Sequence, residues 1–436
     1  MRANAAPATR LWIKAGVAAW IVFAVVVLSK FADEALPNSY LTRPLLFAAA
    51  LGAGIGLTGF IVPRLAVPLA AAIALVVALA NPLGLLLMAA AVITERLLRM
   101  RGARVPTAPK NATFILLSVL LAISLTRAIP QLDLSGRETE GAATTGPRVY
   151  VILLDGYPRL DTLAELGVDN GPFIQELSRR GFDYYPAAMS TYRYTHKTLL
   201  AMLTDLVVAD GPSPASERQA IREHLFVPEG YVAISPPIGH VVLRGGPLID
   251  VNVVNDFESH LLGQSALGRL APEWFGSLLM DGLRENLHGA LRQIEAASAR
   301  RVFAHIMAPH PPFLYSSEGV AEAAPSCWPS ICHIFDSTIE NLEISLDAWA
   351  NGMEGQISAL NDEVLTSVDV ILAREPQSVV VLFSDHGGRY TFEDLPEWHR
   401  SFLAARTPGR PELFAGASGP DDIFRVLEAA YGLSGD

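Results

Sequence analysis

Apolar residues follow two different rhythms along this chain. Over the first 130 positions they run almost without interruption: 11–29, 44–62 and 112–126 are long apolar stretches, close to the roughly 20 residues a helix needs to cross a bilayer. Segment 65–94 is long for one crossing and short for two, and Asn81-Pro82 near its middle favours a turn. Beyond residue 148 the apolar runs shorten and alternate with amphipathic stretches. Runs 149–154, 232–235, 302–307 and 379–383 read as buried strands. Segments 172–180, 195–203, 280–297, 339–374 (with a break) and 421–431 read as helices. Strands alternating with helices in this way predict an α/β fold, with a mostly parallel central sheet covered on both faces.

Charge sets the number of crossings. Arg2, Arg10 and Lys14 precede the first apolar stretch, and Arg96, Arg99, Arg101, Arg104 and Lys110 lie between 94 and 112. Both clusters belong on the cytoplasmic side, so an even number of crossings separates them. Segment 65–94 is then a hairpin of two spans. The expectation is an all-α transmembrane domain of about five helices over 1–129, a linker over 130–147, and a domain at 148–436 delivered outside a bacterial cell membrane. A cleaved signal peptide at 11–29 fits less well, because further spans follow. The chain has only two cysteines, Cys327 and Cys332, close together in the outer domain, and outside the cytoplasm such a pair reads as a disulfide. A net charge of −11 argues against a nucleic-acid partner.

Candidate chemistry gathers at the ends of the strands. The run 379–383 stops at Ser384-Asp385-His386-Gly387-Gly388, and 149–154 stops at Asp155-Gly156. In open α/β sheets functional groups collect beyond the carboxyl ends of strands. Two carboxylates and an imidazole meeting there suit a divalent metal ion such as manganese, magnesium, zinc or calcium. Between them in sequence, Ser190 to Thr204 is a hydroxyl-rich turn running into an apolar helix. A helix start favours developing negative charge, which suits a nucleophile, although Ser and Thr also serve simply as caps there. A further strand ends in Ala308-Pro309-His310-Pro311-Pro312-Phe313, where the proline frame fixes His310 for proton transfer or anion binding. His305, inside that strand, reads mainly as a packed histidine behind the site. His310, Arg159 and His305 are the substrate-binding candidates. Asp256 and His260 have D-x-x-x-H spacing but read as a solvated helix face.

In this order, these patches resemble the sulfatase-like branch of the alkaline phosphatase superfamily, and especially its membrane-anchored members akin to lipoteichoic acid synthases and phosphoethanolamine transferases. The likeness runs from about 148 to 432, including the tail Ser401 to Gly409 and the Asp422-Ile423-Phe424-Arg425 segment. It implies a sulfatase-like α/β/α domain in which Asp155, Asp385, His386 and the Thr195 oxygen hold one metal ion. In that scheme Thr195 is the nucleophile and His310 contacts the substrate. Sulfatases of the main type need a cysteine, converted to formylglycine, in this region; here stand Thr195, His196 and Lys197. That departure points to phosphorus esters, with Ser190, Thr191 and Thr198 as rival nucleophiles. The implied activity is a membrane-bound phosphotransferase or phosphodiesterase acting on a lipid headgroup or an envelope polymer. Sulfate-ester hydrolysis, or a non-catalytic membrane scaffold that keeps the fold, are the alternatives.

Overall fold

The structure, a computed structural model, describes residues 146–204, 206–235, 241, 243–249, 272–316, 318, 344–390 and 395–432, with scattered positions between 20 and 53. The five expected membrane crossings lie almost wholly outside these residues, as do the Cys327–Cys332 pairing and the Asp256 and His260 pair. Among the described residues no helix is long and apolar enough to cross a membrane. The chain divides into two compact units, 1–134 with 257–275, and 135–256 with 276–436. In the first unit Ile21, Ala24 and Leu28 are helical and buried, a spacing that puts them on one helix face.

The second unit is built on a seven-stranded sheet: β1 (Val149–Leu154), β2 (Asp183–Tyr184), β3 (Val232–Ile234), β4 (Leu248–Ile249), β5 (Arg301–Ile306), β6 (Val379–Phe383) and β7 (Leu403–Arg406). Across the sheet the order is β2-β7-β6-β1-β5-β3-β4. β1 sits at the centre, parallel to β5 on one side and β6 on the other, and β3 and β4 continue in parallel. β7 runs antiparallel to β6, and β2 antiparallel to β7. The mostly parallel sheet predicted from the apolar runs is therefore present.

Seven helices among the described residues cover the sheet: α1 (Leu160–Glu165), α2 (Gly171–Arg179), α3 (Thr195–Leu203), α4 (Ala215–His224), α5 (Pro272–Ala296), α6 (Leu346–Arg374) and α7 (Ile423–Tyr431). Successive strand residues point to opposite faces, and both faces of β1 are buried. Tyr150, Ile152 and Leu154 pack with Phe173 of α2, Leu291 of α5 and Leu360 of α6. Val149, Val151 and Leu153 pack with Leu199 of α3, Ile221 of α4 and Leu427 of α7. Burial on two sides explains why β1 and β6 read as continuous apolar runs rather than alternating ones.

Several predicted bounds shift. The long helix expected from 339 begins at Leu346, where the Ser345 hydroxyl accepts from Ala348 N–H at 3.1 Å and caps it. The segment expected as helix from 421 opens with a single 3-10 turn, Pro420–Asp422, before α7. The helix expected from 280 begins at Pro272.

Candidate metal centre and active site

The parallel register brings distant residues to one edge. Leu153 of β1 lies beside Phe383 of β6, so Asp155 and Asp385 both emerge past the carboxyl ends of adjacent central strands. The chain turns sharply after β1 because Gly156 adopts φ +66°, a conformation that costs other residues energy. A Cβ there would stand 3.4 Å from His386 Cε1 and 3.6 Å from His310 Cδ2. The Gly156 N–H donates to Asp385 Oδ1 at 3.0 Å, which ties the two strand ends together.

Asp155, Asp385 and His386 each offer one ligand atom, and these atoms all lie within 4.8 Å of one another. His386 Nε2 is 3.2 Å from Asp385 Oδ2 and 3.8 Å from Asp155 Oδ1. Every other polar atom of the three side chains is engaged. Asp155 Oδ2 accepts from His305 Nε2 at 2.8 Å, Asp385 Oδ1 accepts from Gly156, and His386 Nδ1 lies 2.7 Å from the Gly387 carbonyl. A carbonyl can only accept, so Nδ1 carries the proton and the Nε2 lone pair faces the two carboxylates. Asp155 Oδ1, Asp385 Oδ2 and His386 Nε2 remain buried without any hydrogen-bond partner. Buried polar atoms without partners are costly. Three acceptors converging with no donor among them suit a divalent cation, so the residues present fit the implied metal.

Electrostatics point the same way. Burial works against the Asp155 charge, but the hydrogen bond from His305 holds its carboxyl well below the usual carboxylate range. His305, wholly buried, therefore stands behind Asp155 and aims it, the arrangement by which metal-ligating side chains are commonly oriented. His310 lies beside the cluster, its ring 6.5 Å from that of His386. Its Nδ1 is 2.6 Å from the Pro311 carbonyl, which again fixes the proton on Nδ1 and leaves Nε2 as the acceptor. Burial pushes the His310 pKa down.

The rival hydroxyls separate by their surroundings. Ser190 Oγ donates to the Tyr192 carbonyl at 2.6 Å and lies 3.2 Å from Thr198 Oγ1. Thr198, fully buried, donates to the Asp385 carbonyl at 3.1 Å and so braces the metal-ligand loop from below. Thr191 is exposed, its N–H donating to Asp421 Oδ2 at 3.2 Å. Thr195 opens α3, half-buried and one turn before Thr198 on the same helix face. Among the described residues its hydroxyl takes no hydrogen bond.

Arg159 is bound elsewhere. It forms a two-point ion pair with Asp161 at 2.7 and 2.8 Å and donates to the Ala188 carbonyl at 3.1 Å. The guanidinium that does approach the cluster is Arg389, two residues past the glycine pair's first member, with Nη2 3.5 Å from His310 Nε2. Nothing in the spacing singled it out; the signal available was its place in the loop that begins with Asp385 and His386.

No family model and no curated protein matches the chain. Solved structures overlap it more loosely. The C-terminal periplasmic domain of EcEptC from Escherichia coli, a complex with Zn, gives a TM-score of 0.40 at 14% identity over 68% of this chain and 85% of that one. The soluble domain of lipooligosaccharide phosphoethanolamine transferase A from Neisseria meningitidis gives 0.37 at 15% identity, over 65% and 88%. A 2-O GAG sulfatase gives 0.37 at 15% identity, over 67% and 72%. These are similarities of outline, and the chemistry of the site comes from this chain's own side chains.

Proposed function

We propose that the chain is a membrane-anchored, metal-dependent phosphotransferase or phosphodiesterase, with its catalytic domain outside the membrane and a lipid headgroup or envelope phosphodiester as substrate. One observation carries the catalytic part: three buried, partnerless ligand atoms from two strand ends converge, and the carbonyl of one of those residues, Asp385, accepts from Thr198 of α3 at 3.1 Å. Asp155, Asp385 and His386, with the Thr195 oxygen, hold the ion. Bound there, a divalent cation supplies Lewis-acid stabilisation of charge on the phosphoryl oxygens.

The chain's own groups do the rest. Thr195 attacks phosphorus as the bond to the leaving oxygen breaks, forming a phosphothreonine. The free N–H groups at the start of α3 favour the negative charge that develops there. His310, with Nε2 free of its own proton, takes the Thr195 proton and returns it to the leaving oxygen. A second alcohol or water then attacks the phosphothreonine, gives its proton to the same imidazole, and restores the threonine hydroxyl.

The test uses the full chain with manganese or zinc and an aryl phosphodiester. Thr195→Ala is expected to lower kcat by at least about 10^3-fold. Ser190→Ala and Thr198→Ala, which remove hydroxyls bonded within the fold, should instead lower stability. Undiminished turnover by Thr195→Ala would remove it as nucleophile, and preferential turnover of an aryl sulfate would reassign the substrate class.

A further inference from the structure

The arginines around the site differ in one respect. Arg159 pairs with Asp161, Arg193 with Asp210 at 3.4 Å, and Arg400 with Glu165 at 2.8 Å. Arg389 pairs with no carboxylate among the described residues. Its Nε is buried without a partner. Its guanidinium carbon lies 5.2 Å from the centre of the Tyr194 ring, and Nη2 faces His310 Nε2 at 3.5 Å. A partly buried cation with no ion-paired carboxylate among the described residues is costly. This one lies within cation–π distance of the Tyr194 ring.

Its position supplies the reason. Arg389 leaves the same loop as Asp385 and His386, reaches His310 on one side, and lies on Tyr194, the residue immediately before Thr195. It therefore lies between the proposed proton carrier and the ring of the residue that precedes the proposed nucleophile. We infer that Arg389 is the anion clasp of the site, binding a non-bridging oxygen of the ester under attack and matching the site to singly charged esters. This rests on the phosphoryl-transfer assignment above.

Charge counting makes the substrate class specific. Two carboxylates balance a divalent ion, and an imidazole that ligates through Nε2 is neutral. Arg389 then adds a single positive charge. A phosphodiester carries one negative charge shared between two non-bridging oxygens, and a fork of N–H donors is suited to hold such an oxygen. A phosphomonoester dianion would leave one charge unmatched.

The experiment uses the full chain, wild type and Arg389→Gln, with dimethyl phosphate as an unreactive singly charged probe. Calorimetric affinity is measured with manganese and again after chelation. In parallel, kcat/KM is compared for a bis-aryl phosphate and an aryl phosphate, and bound manganese is counted. Arg389→Gln is expected to weaken dimethyl phosphate binding and diester kcat/KM by about 10- to 100-fold each, the range for a hydrogen bond to a charged group. Manganese content should be unchanged, and the preference for the diester over the monoester should shrink. Wild-type affinity for dimethyl phosphate in Arg389→Gln would overturn the clasp even if the diester is a good substrate. Arg389-dependent binding without turnover of any ester would keep the clasp and sink the phosphoryl-transfer assignment. Should Arg389→Gln fail to fold, Arg389→Lys decides by the same affinity: a loss of about fivefold or more supports a fork-shaped contact, and no loss overturns it.

Discussion

Asp385 and His386 place Oδ2 and Nε2 3.2 Å apart, both buried without a hydrogen-bond partner, and Asp155 Oδ1 is a third such atom. Such an arrangement costs stability, as is often seen where function needs strained or uncompensated groups, and a bound cation would relieve it. Asp385→Asn isolates it. The amide oxygen keeps the Oδ1 position that accepts from Gly156, and the new NH2 faces His386 Nε2 and gives that lone pair a donor. In chelator, Asp385→Asn is expected to raise the unfolding free energy by about 1 kcal/mol, the usual net value of a hydrogen bond. Manganese or zinc should stabilise the wild type by about 2.7 kcal/mol at a hundred times its dissociation constant and leave Asp385→Asn unmoved. Urea unfolding with and without metal measures both, and an equal response of the two proteins to metal would refute the ligand assignment. The convergence of Asp155, Asp385 and His386 was legible in the sequence because they lie within three residues of the ends of two buried strands. Arg389 and Thr198 were not, because their roles depend on which loop end meets which helix. That information lies in the sheet order rather than in local pattern.

At the scale of elements, the loop after β6 is shaped by backbone contacts that only glycine permits. A Cβ on Gly387 would stand 2.1 Å from the Glu397 carbonyl oxygen and 2.9 Å from that of Arg400, while the Gly387 N–H donates to the Trp398 carbonyl at 2.7 Å. No flexible side chain is available to yield, so the 396–400 segment or the metal-ligand loop must shift. Gly387→Ala is expected to cost about 1–3 kcal/mol, as for overpacking of a tight interior, and to lose bound metal. Gly416→Ala, which meets nothing within 4 Å, should fall within about 0.5 kcal/mol of wild type. Thermal unfolding and metal counting on the pair check this, and equal behaviour would mean the close approach has no energetic consequence. Visibility of the elements followed the same physics. β1 and β6 are rich in Val, Ile and Leu and stand out at once. β7, Leu-Ala-Ala-Arg, carries little strand preference of its own; pairing with β6 and the bonds of Arg406 to the Ser378 and Pro376 carbonyls hold it. α4, Ala-Ser-Glu-Arg-Gln-Ala-Ile-Arg-Glu-His, shows too few apolar positions to announce a helix. β2 and β4, two residues each, fall below any pattern.

For the whole molecule, the position of the catalytic domain follows from the basic clusters at 2–14 and 96–110 and the apolar stretches they flank. On the orientation proposed above, with both clusters cytoplasmic and one crossing after the second, everything beyond residue 126 would lie outside. A site so placed would meet the lipid headgroups and polymers of the envelope rather than soluble cytoplasmic esters. The two cysteines make this testable without engineering, because the chain has no others and both belong to the outer domain. In intact cells expressing the chain, a membrane-impermeant maleimide should label nothing until an impermeant reductant is added, and then label both Cys327 and Cys332. Cys327→Ser should expose Cys332 to the reagent without reduction. Labelling of the wild type before reduction would place the domain outside but remove the disulfide. Labelling only after the membrane is permeabilised would put the domain in the cytoplasm, reverse the orientation drawn from the basic clusters, and leave the metal site without access to an envelope substrate.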